Sequence, residues 1–462
     1  MAGGVGSEEE RGVPASPTAP EETDADAAAR RMLEELQRTF VYLETSKKRY
    51  FDPRSLVEAS NCLRLEYDVW QQNDASEYQT KLLDMLEIGL KKHAPRQMKH
   101  LNDVFQTGIC KQKICKECGL KTNREEIAVN LEGPVRGRSS LSELIQGYCS
   151  EELMDGDNKI ECDTCDKRTT TVLRTCINKL PQILTISLKR FDLDYNTFET
   201  VKLNSRLEFG QELNMKRYTL KGFDVMDKHL EMLAAEGSGD EGGDEGGGDD
   251  PATPTRMRRV SSVGSVGGFD TPNRGDTDRV EEDPLDVLPD EEYMYELAGV
   301  LVHAGVAQGG HYYSYIKDRD EGSWFKFDDE DVSPFDLSGM ERECFGGKVM
   351  KETKYPNGQV HTVEQESFAN ALMLFYEKKV KVEGIEEGGK SDGGLVEGGG
   401  LEAYSKAVDK ANDTHVRHSF LLDDELQNFL KGLLVSKVSE PTHTRRWRTP
   451  MTRWHAPVAQ DF

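Results

Sequence analysis

The stretch that decides the fold is residues 309–315, Gly-Gly-His-Tyr-Tyr-Ser-Tyr, together with residues 324–329, Trp-Phe-Lys-Phe-Asp-Asp. Short aromatic-rich runs separated by a turn at Gly322 predict two adjacent antiparallel strands. His311 begins the first strand and Asp328 ends the second, so we expect their side chains to meet. Glycines at 309 and 310 would let the backbone approach closely and leave space in front of the imidazole.

The chemistry of this pair follows from the two side-chain types. A carboxylate that accepts a hydrogen bond from Nδ1 of His311 would fix the ring tautomer and leave Nε2 as a base. That is half of the arrangement that a thiol nucleophile needs. The alternative is a structural histidine beside an aspartate that caps a turn. The Gly-Gly-His and Trp-x-x-Phe-Asp-Asp context favours the functional interpretation.

Two Cys-x-x-Cys pairs form the second constellation, Cys115 with Cys118 and Cys162 with Cys165. A tight Cys-x-x-Cys turn places two thiolates on one side, and two such turns complete the tetrahedral sulfur shell that zinc prefers. The surrounding sequence is β-like, so we predict a structural zinc ribbon. Free buried thiols are the alternative. A redox pair is disfavoured because neither motif follows a strand and opens a helix.

Composition limits the class of protein. The 462 residues carry a formal net charge of −25, which argues against nucleic acid as a partner and fits a partner that presents basic side chains. The sequence shows neither a secretory signal nor a run of 18 apolar residues, so we expect no membrane association. The chain is therefore predicted to work in the cytoplasm or the nucleus.

Helical and strand patterns complete the coarse prediction. Apolar periodicity predicts helices over residues 30–46 and 53–65, and an amphipathic helix that begins near Asp74. Strands are predicted at residues 183–188 and 297–302, besides the two that carry His311 and Asp328. Residues 421–435 read as a further amphipathic helix.

These motifs together resemble ubiquitin-specific proteases. Residues 303–332 resemble the histidine box of that family, residues 72–86 its Gln-x-Asp-x-x-Glu helix, and residues 180–192 its Leu-Lys-Arg-Phe strand. The chain is most similar to the large, multi-domain subgroup. The resemblance implies a papain-like α+β fold with thumb helices, a palm sheet and zinc-ribbon fingers, incomplete at the N-terminus. It also implies cysteine-type removal of ubiquitin from proteins, with ubiquitin and ubiquitinated proteins as partners.

The resemblance also implies roles for particular residues. His311 would be the general base, Asp328 would orient it, and Asp329 would support the same site. Asp74 and Glu77 would face the arginines of the ubiquitin tail, where charge-assisted hydrogen bonds form. Asp-x-x-Glu is also a capping-box pattern that needs no ligand. Three further residues would shape the tail channel, namely Gly309, Gly310 and Tyr312.

The resemblance implies a domain plan, with a ubiquitin-specific protease domain over residues 29–379. The flanking parts would be a disordered acidic N-terminus (1–28), a Gly/Glu linker (380–400) and a truncated helical extension (401–462). Within the domain we expect a helical thumb (29–109), fingers and palm (110–230), a disordered acidic insertion (231–292) and the palm segment with the histidine box (293–379).

No cysteine matches the nucleophile box of the family, Asn-x-Gly-x-Thr-Cys. Only Cys62 lies upstream of Asp74, and its neighbours predict a buried structural thiol. The expectation is a chain that begins after the nucleophile and is inactive as written. One alternative is a catalytically dead pseudo-deubiquitinase that acts as a ubiquitin-binding scaffold. Another is a zinc-ribbon adaptor that does not interact with ubiquitin.

Overall fold

The computed structural model describes residues 24–48, 51–63, 74–236, 283–307, 309–354, 360–380 and 400–416. Four helices come first and strands predominate after them, an α+β arrangement as predicted. The helices are α1 Asp24–Thr45, α2 Arg54–Ser60, α3 Ala75–His93, α4 Pro95–Phe105, α5 Leu141–Tyr148, α6 Leu220–Glu236, α7 Met340–Cys344 and α8 Gly400–Val416.

The strands are β1 Thr107–Cys115, β2 Lys121–Ala128, β3 Leu131–Pro134, β4 Glu151–Met154, β5 Ile160–Cys162, β6 Lys167–Thr169, β7 Thr171–Lys179, β8 Ile183–Lys189, β9 Phe191–Asp194, β10 Glu199–Lys202, β11 Glu212–Asn214, β12 Met294–Val306, β13 Gly309–Lys317, β14 Trp324–Asp328, β15 Asp331–Phe335, β16 Lys348–Lys354, β17 Val360–Glu366 and β18 Ala369–Lys378.

The main sheet carries the predicted histidine strand. Its order is β15-β14-β13-β12-β18-β8-β3, with β11 added beside β12. The pairs along this order are antiparallel except β3 with β8, which are parallel. The central residues of strand β8 are buried, and three of them, Leu184, Ile186 and Leu188, belong to the apolar core of the sheet.

A second sheet, which we call the finger sheet, has the order β2-β1-β7-β4. The β5-β6 hairpin follows β4 along the chain. Helix α6 is tied to this sheet by the buried side chain of Arg174, which donates to Asp227 at 2.9 Å and to Glu151 at 3.0 Å. Lys121 of β2 also pairs with Asp227, at 2.8 Å. The finger sheet and α6 are therefore joined by ion pairs centred on the buried Arg174.

The helical part has its own apolar cluster. Leu83, Leu86 and Leu90 of α3 pack with Leu33 of α1 and Met98 of α4. Helix α3 shows the predicted periodicity because these leucines recur every three or four residues on one face. Helix α4 starts at Pro95, a residue suited to the first turn because it has no amide hydrogen to leave unbonded.

Three predicted boundaries were wrong. Helix α1 begins at Asp24, inside the segment predicted to be disordered, because Asp24 and Asp26 favour the first turn of a helix. Helix α6 continues to Glu236, past the predicted start of the insertion at 231, because its last turns consist of good helix formers. The insertion also ends earlier than predicted, since short 3₁₀ turns occupy Pro284–Val287 and Asp290–Glu292.

Other predictions meet the structure only in part. The helix predicted over residues 53–65 is shorter, with α2 followed by a 3₁₀ turn at Asn61–Leu63. The predicted helix at 421–435, nearly all of the linker at 380–400 and residues 237–282 of the insertion lie outside the described residues. Among the helices within the described ranges, none combines the length and the apolar character needed to cross a membrane.

Helix α8 packs on the far end of α1. The side chain of Asn412 accepts a hydrogen bond from the Lys47 amide at 2.7 Å and donates to the Thr45 carbonyl at 3.0 Å. Val408, one turn earlier, is fully buried. These contacts satisfy backbone groups at the C-terminal end of α1, where helical hydrogen bonds run out.

Candidate active site and metal centre

His311 and Asp328 meet at one side of the main sheet. Strands β13 and β14 pair with Ser314 opposite Phe327, which brings the start of β13 beside the end of β14. The imidazole Nε2 and the carboxylate Oδ1 lie 2.5 Å apart. The predicted contact is present, but the predicted nitrogen was wrong, since Nε2 rather than Nδ1 faces the carboxylate. Nδ1 is therefore the ring nitrogen left for proton transfer.

The second oxygen of Asp328 also has a partner. Its Oδ2 accepts from the Nζ of Lys326 at 2.7 Å. The hydrogen bond from Lys326, followed by that from His311, holds the pKa of Asp328 below its usual range. The carboxylate is consequently ionised at neutral pH and can stabilise a protonated imidazole.

Asp329, the predicted supporter of the site, lies beside the pair without a hydrogen bond to His311. Its Oδ2 lies 3.9 Å from Nε2 of His311, which is beyond hydrogen-bond distance, and its side chain is 79% exposed. Its backbone has a φ of 52°, an uncommon conformation for a residue other than glycine. This conformation turns the chain immediately after β14 and leads it into β15.

Only one of the two predicted channel glycines is required by packing. A β-carbon on Gly310 would lie 2.4 Å from the carbonyl oxygen of Ala304 and 2.6 Å from Nε2 of His303. A β-carbon on Gly309 would meet nothing within 4 Å. The backbone next to His311 therefore lies directly against β12, while Gly309 faces open space.

The predicted carboxylates of α3 have local partners. Asp74 is the N-cap of α3 and accepts from the backbone amides of Ser76 and Glu77. Glu77 pairs with Lys81 at 2.7 Å, an exposed pair one turn along the helix. Asp74 therefore caps α3 through its Oδ1. Its other oxygen, Oδ2, has no recorded partner among the described residues.

The helix start also lies near the predicted channel residue Tyr312. Burial and the negative charge of Asp74 raise the pKa of Tyr312 to about 12. The tyrosine ring packs 4.9 Å from the ring of His303. Asp74 also lines a cleft of about 210 Å³ whose other walls include Glu132, Ser187 and Phe191. The N-terminus of α3 and the start of β13 therefore belong to one neighbourhood of the molecule.

Two basic residues behind the site were missed at the sequence level, the buried Arg190 and the half-buried Lys202. The guanidinium of Arg190 is fully buried and donates to backbone carbonyls, those of Ala371, Leu203 and Ser205. The ammonium of Lys202 donates to the carbonyls of His303 and Phe368, both at 2.7 Å. These cations fasten β9, β10, β12 and β18 to one another. The Lys-Arg-Phe motif was a visible signal for Arg190, but nothing local marks Lys202.

The four predicted metal ligands form a compact cluster. Their sulfur atoms all lie within 4.8 Å of one another. Cys115 and Cys165 are 3.9 Å apart, and Cys118 and Cys162 are 3.6 Å apart. A tetrahedral zinc ion with Zn–S bonds of about 2.3 Å requires sulfurs about 3.8 Å apart. The spacing of the thiols thus fits such an ion.

Charge gives a second reason to expect a cation at this cluster. Hydrogen bonding with the Thr169 hydroxyl, with help from backbone amides, lowers the pKa of Cys115 to about 6. Its neighbours act in the opposite direction on Cys165, whose pKa is raised to about 12 by contacts with Cys118 and the other thiols. The thiols oppose one another's ionisation, so a metal ion would be needed to hold all four as thiolates.

The nine cysteines supply no partner for His311. All nine belong to the described residues, and none of their sulfur atoms hydrogen-bonds the imidazole. Burial raises the pKa of Cys62, the residue considered from the sequence, and that of Cys344. Cys344 is buried and Cys62 half-buried, and a raised pKa disfavours the reactive thiolate in both.

Comparison of the sequence with known proteins identifies the family of this chain. The chain belongs to the ubiquitin carboxyl-terminal hydrolase family, whose pattern matches residues 13–376. It is 32% identical over 349 residues to ubiquitin carboxyl-terminal hydrolase 24 of Mus musculus, which covers 74% of this chain and 12% of the relative. It is 32% identical over 354 residues to probable ubiquitin carboxyl-terminal hydrolase FAF of Drosophila melanogaster, covering 75% and 11%. The chain thus spans a small part of these relatives.

Proposed function

We propose that this chain is a deubiquitinating domain in which His311 and Asp328 serve a thiol nucleophile. The observation that carries the proposal is the 2.5 Å contact between Nε2 of His311 and Oδ1 of Asp328, in a chain that belongs to the ubiquitin carboxyl-terminal hydrolase family. The bond to be cleaved is the peptide or isopeptide bond after the C-terminal glycine of ubiquitin. Ubiquitin and ubiquitinated proteins are the proposed partners.

The proposed chemistry assigns one task to each group. Nδ1 of His311 takes the proton of a cysteine thiol, and the thiolate attacks the carbonyl carbon of the last glycine of ubiquitin. The imidazolium then donates that proton to the departing amine, which leaves an acyl-enzyme that water hydrolyses. Asp328 keeps the ring in one orientation and stabilises its charged form. Asp329, exposed beside the pair, adds negative charge to the same face.

We propose that none of the nine cysteines is the nucleophile. None of them contacts His311, so we propose that the 462-residue chain binds ubiquitin but does not itself form the acyl-enzyme. The same observation favours a second candidate function, a ubiquitin-binding scaffold without catalysis. The two candidates share the ubiquitin-binding surface and differ only in whether a thiol is brought to Nδ1 of His311.

A ubiquitin probe with a thiol-reactive group at its C-terminus tests this reading. We expect this chain to bind unmodified ubiquitin in calorimetry and to give no covalent adduct with the probe. An adduct would show that one of the nine cysteines is the nucleophile, and mass spectrometry would identify it. Absence of any binding to ubiquitin would contradict both candidates and favour a zinc-ribbon adaptor.

The proposed binding surface for the ubiquitin tail lies at the start of α3. Asp74 and Glu77 would take up the arginines of the tail, while Tyr312 and the two glycines at 309 and 310 would line its path. The capping role of Asp74 does not conflict with this, since only one of its two oxygens receives the recorded helix amides. The strongly negative chain favours a tail that carries basic residues.

Two substitutions of Asp74 separate binding from capping. Asp74→Asn keeps an oxygen that can cap α3 but removes the charge, whereas Asp74→Ala removes both. We expect both variants to bind ubiquitin at least about tenfold more weakly, because a charge-assisted hydrogen bond is lost. Only Asp74→Ala should also lose about 1 kcal/mol of stability. Ubiquitin without its last six residues is the matched control, and its affinity should not change. Wild-type binding by Asp74→Asn would leave Asp74 as a cap alone.

We further propose that the metal of the four-cysteine cluster is structural zinc. Soft thiolate ligands in a tetrahedral arrangement select zinc, and a site with four protein ligands keeps no open position for chemistry. Four unpaired cysteines suit the reducing conditions of the cytoplasm or the nucleus, where we place the protein.

A further inference from the structure

Lys326 stands beside the proposed catalytic pair, and neither the family resemblance nor the proposed chemistry uses it. The Asp328 carboxylate is shared between two partners, with Oδ1 at 2.5 Å from Nε2 of His311 and Oδ2 at 2.7 Å from Nζ of Lys326. A carboxylate held at one oxygen only can rotate about its bond to the β-carbon. Held at both, it presents a fixed edge to the imidazole.

Lys326 is itself well placed to hold that oxygen. Residues 326 and 328 project from the same face of β14, because side chains alternate along a strand. The ammonium also lies 4.2 Å from the ring centroid of Tyr313, a cation–π distance. Tyr313 is buried, and burial together with the nearby charge of Glu343 raises its pKa, so the ring stays neutral at physiological pH.

The charges around the pair are few. Asp329 lies near His311 but is largely exposed, and Glu343 lies on the Tyr313 and Tyr315 side, where it accepts from Tyr315 at 3.4 Å. Within the described ranges, the cationic groups recorded against Asp328 are Lys326 and the imidazole itself. Lys326 is therefore the permanent positive charge at the carboxylate.

We propose that Lys326 is a positioning residue, which anchors one oxygen of Asp328 so that the other keeps the proton of His311 on Nε2 and leaves Nδ1 unprotonated. The proposal rests on the proposed function for its biological meaning, because Nδ1 is the atom that would accept the proton of the thiol. The effect of Lys326 on the orientation of Asp328 and on the His311 tautomer does not depend on that function.

Nuclear magnetic resonance of the full chain, zinc-loaded and without ubiquitin, tests the proposal. Nitrogen-15 shifts of the His311 ring report which nitrogen carries the proton, and the Asp328 carboxyl carbon reports its own titration. Lys326→Met keeps the aliphatic stem over Tyr313 and removes the charge. We expect a mixture of His311 tautomers in this variant, and a higher pKa of Asp328 than in the wild type. Lys326→Arg should resemble the wild type in both respects.

The controls distinguish positioning from a general effect of losing a lysine. His311→Gln identifies the His311 signals. Lys348→Met removes another lysine that pairs with a carboxylate, Glu364 at 3.1 Å, and should change neither readout. Unchanged tautomer and titration in Lys326→Met would overturn the proposal. Should that variant not fold, slow hydrogen exchange at the Lys326 ammonium of the wild type supports the anchored carboxylate, and fast exchange refutes it.

This experiment is independent of ubiquitin and of any nucleophile. A positive result together with failure to bind ubiquitin would remove the proposed function and leave the role of Lys326 in place. A negative result together with ubiquitin binding would remove the role of Lys326 and leave the proposed function in place.

Discussion

The four-cysteine cluster and the His311–Asp328 pair are assembled over different lengths of chain. Each Cys-x-x-Cys turn closes on itself, with the Gly119 amide bonded to the Cys115 carbonyl and the Asp166 amide to the Cys162 carbonyl, both at 2.9 Å. Gly119 and Asp166 take the left-handed backbone conformation that such turns require. The histidine and the aspartate depend instead on strand register and on the packing of β12 behind them. Local turns position the cysteines within each pair, and tertiary structure brings the two pairs together across 50 residues of chain. Strand register within one hairpin places His311 against Asp328.

The largest effect should come from removing a metal ligand. Cys162→Ser deletes one of four thiolates, and binding of a structural zinc ion contributes about 10 kcal/mol or more of folding free energy in small zinc domains. We expect bound zinc, measured by mass spectrometry of the metal, to fall from one equivalent to nearly none. The finger sheet should then become sensitive to protease.

Cys62→Ser is the matched control, since Cys62 lies outside the cluster. It should retain zinc and protease resistance. If Cys162→Ser kept its full zinc content, the cluster would not be a four-ligand metal centre.

A smaller loss should follow from crowding the backbone behind His311. Gly310→Ala forces a methyl group against the Ala304 carbonyl and the His303 ring, and overpacking of this kind costs about 1–3 kcal/mol. Gly309→Ala has open space and should change the free energy of unfolding by less than about 0.5 kcal/mol. Chemical denaturation of the two variants measures the difference. Equal stability of both would show that β12 does not constrain the start of β13.

The smallest effect concerns the link between the finger sheet and α6, and it depends on pH. Burial alone would raise the pKa of Asp227, but its ion pairs with Arg174 and Lys121 outweigh burial and hold that pKa below its usual range. The ion pairs therefore contribute stability above about pH 4, and the contribution is lost as pH falls through the lowered pKa. Asp227→Asn should cost about 1–2 kcal/mol at pH 7 and much less near pH 3.

Asp224→Asn serves as the control for this measurement. Asp224 lies on the same helix, and its more exposed carboxylate is 3.5 Å from Lys121, so its loss should be nearly neutral. Thermal unfolding of both variants across the pH range would show the effect. A penalty for Asp227→Asn that did not shrink in acid would mean that packing, not charge, joins α6 to the fingers.

What could be predicted from the sequence follows the same division. The cysteine spacing specified the ligand set because a short turn leaves few conformations open. The strands carrying His311 and Asp328 were predictable from their aromatic pattern. The orientation of the imidazole could not be predicted, because the same sequence is compatible with either ring nitrogen facing the carboxylate. Which nitrogen does so depends on where the carboxylate lies in the folded protein.

The missed residues share a physical cause. Lys326, Lys202 and Arg190 look like ordinary surface cations in the sequence, since Lys and Arg are mostly exposed. Arg190 and Lys202 donate to backbone carbonyls of distant residues, which carry no side-chain signal. Lys326 donates to Asp328 of its own strand. The early start of α1 was visible in Asp24 and Asp26, but the acidic composition around them was interpreted as disorder.

The contact of α8 with α1 affects where a recombinant fragment of this protein should end. The family match ends at residue 376, whereas Asn412 closes the end of the first helix from well beyond that point. A recombinant fragment that stopped where the similarity stops would strip a backbone carbonyl and an amide of their partner and uncover the surface under Val408. The folded domain thus includes helix α8, which lies beyond the residues that match the family.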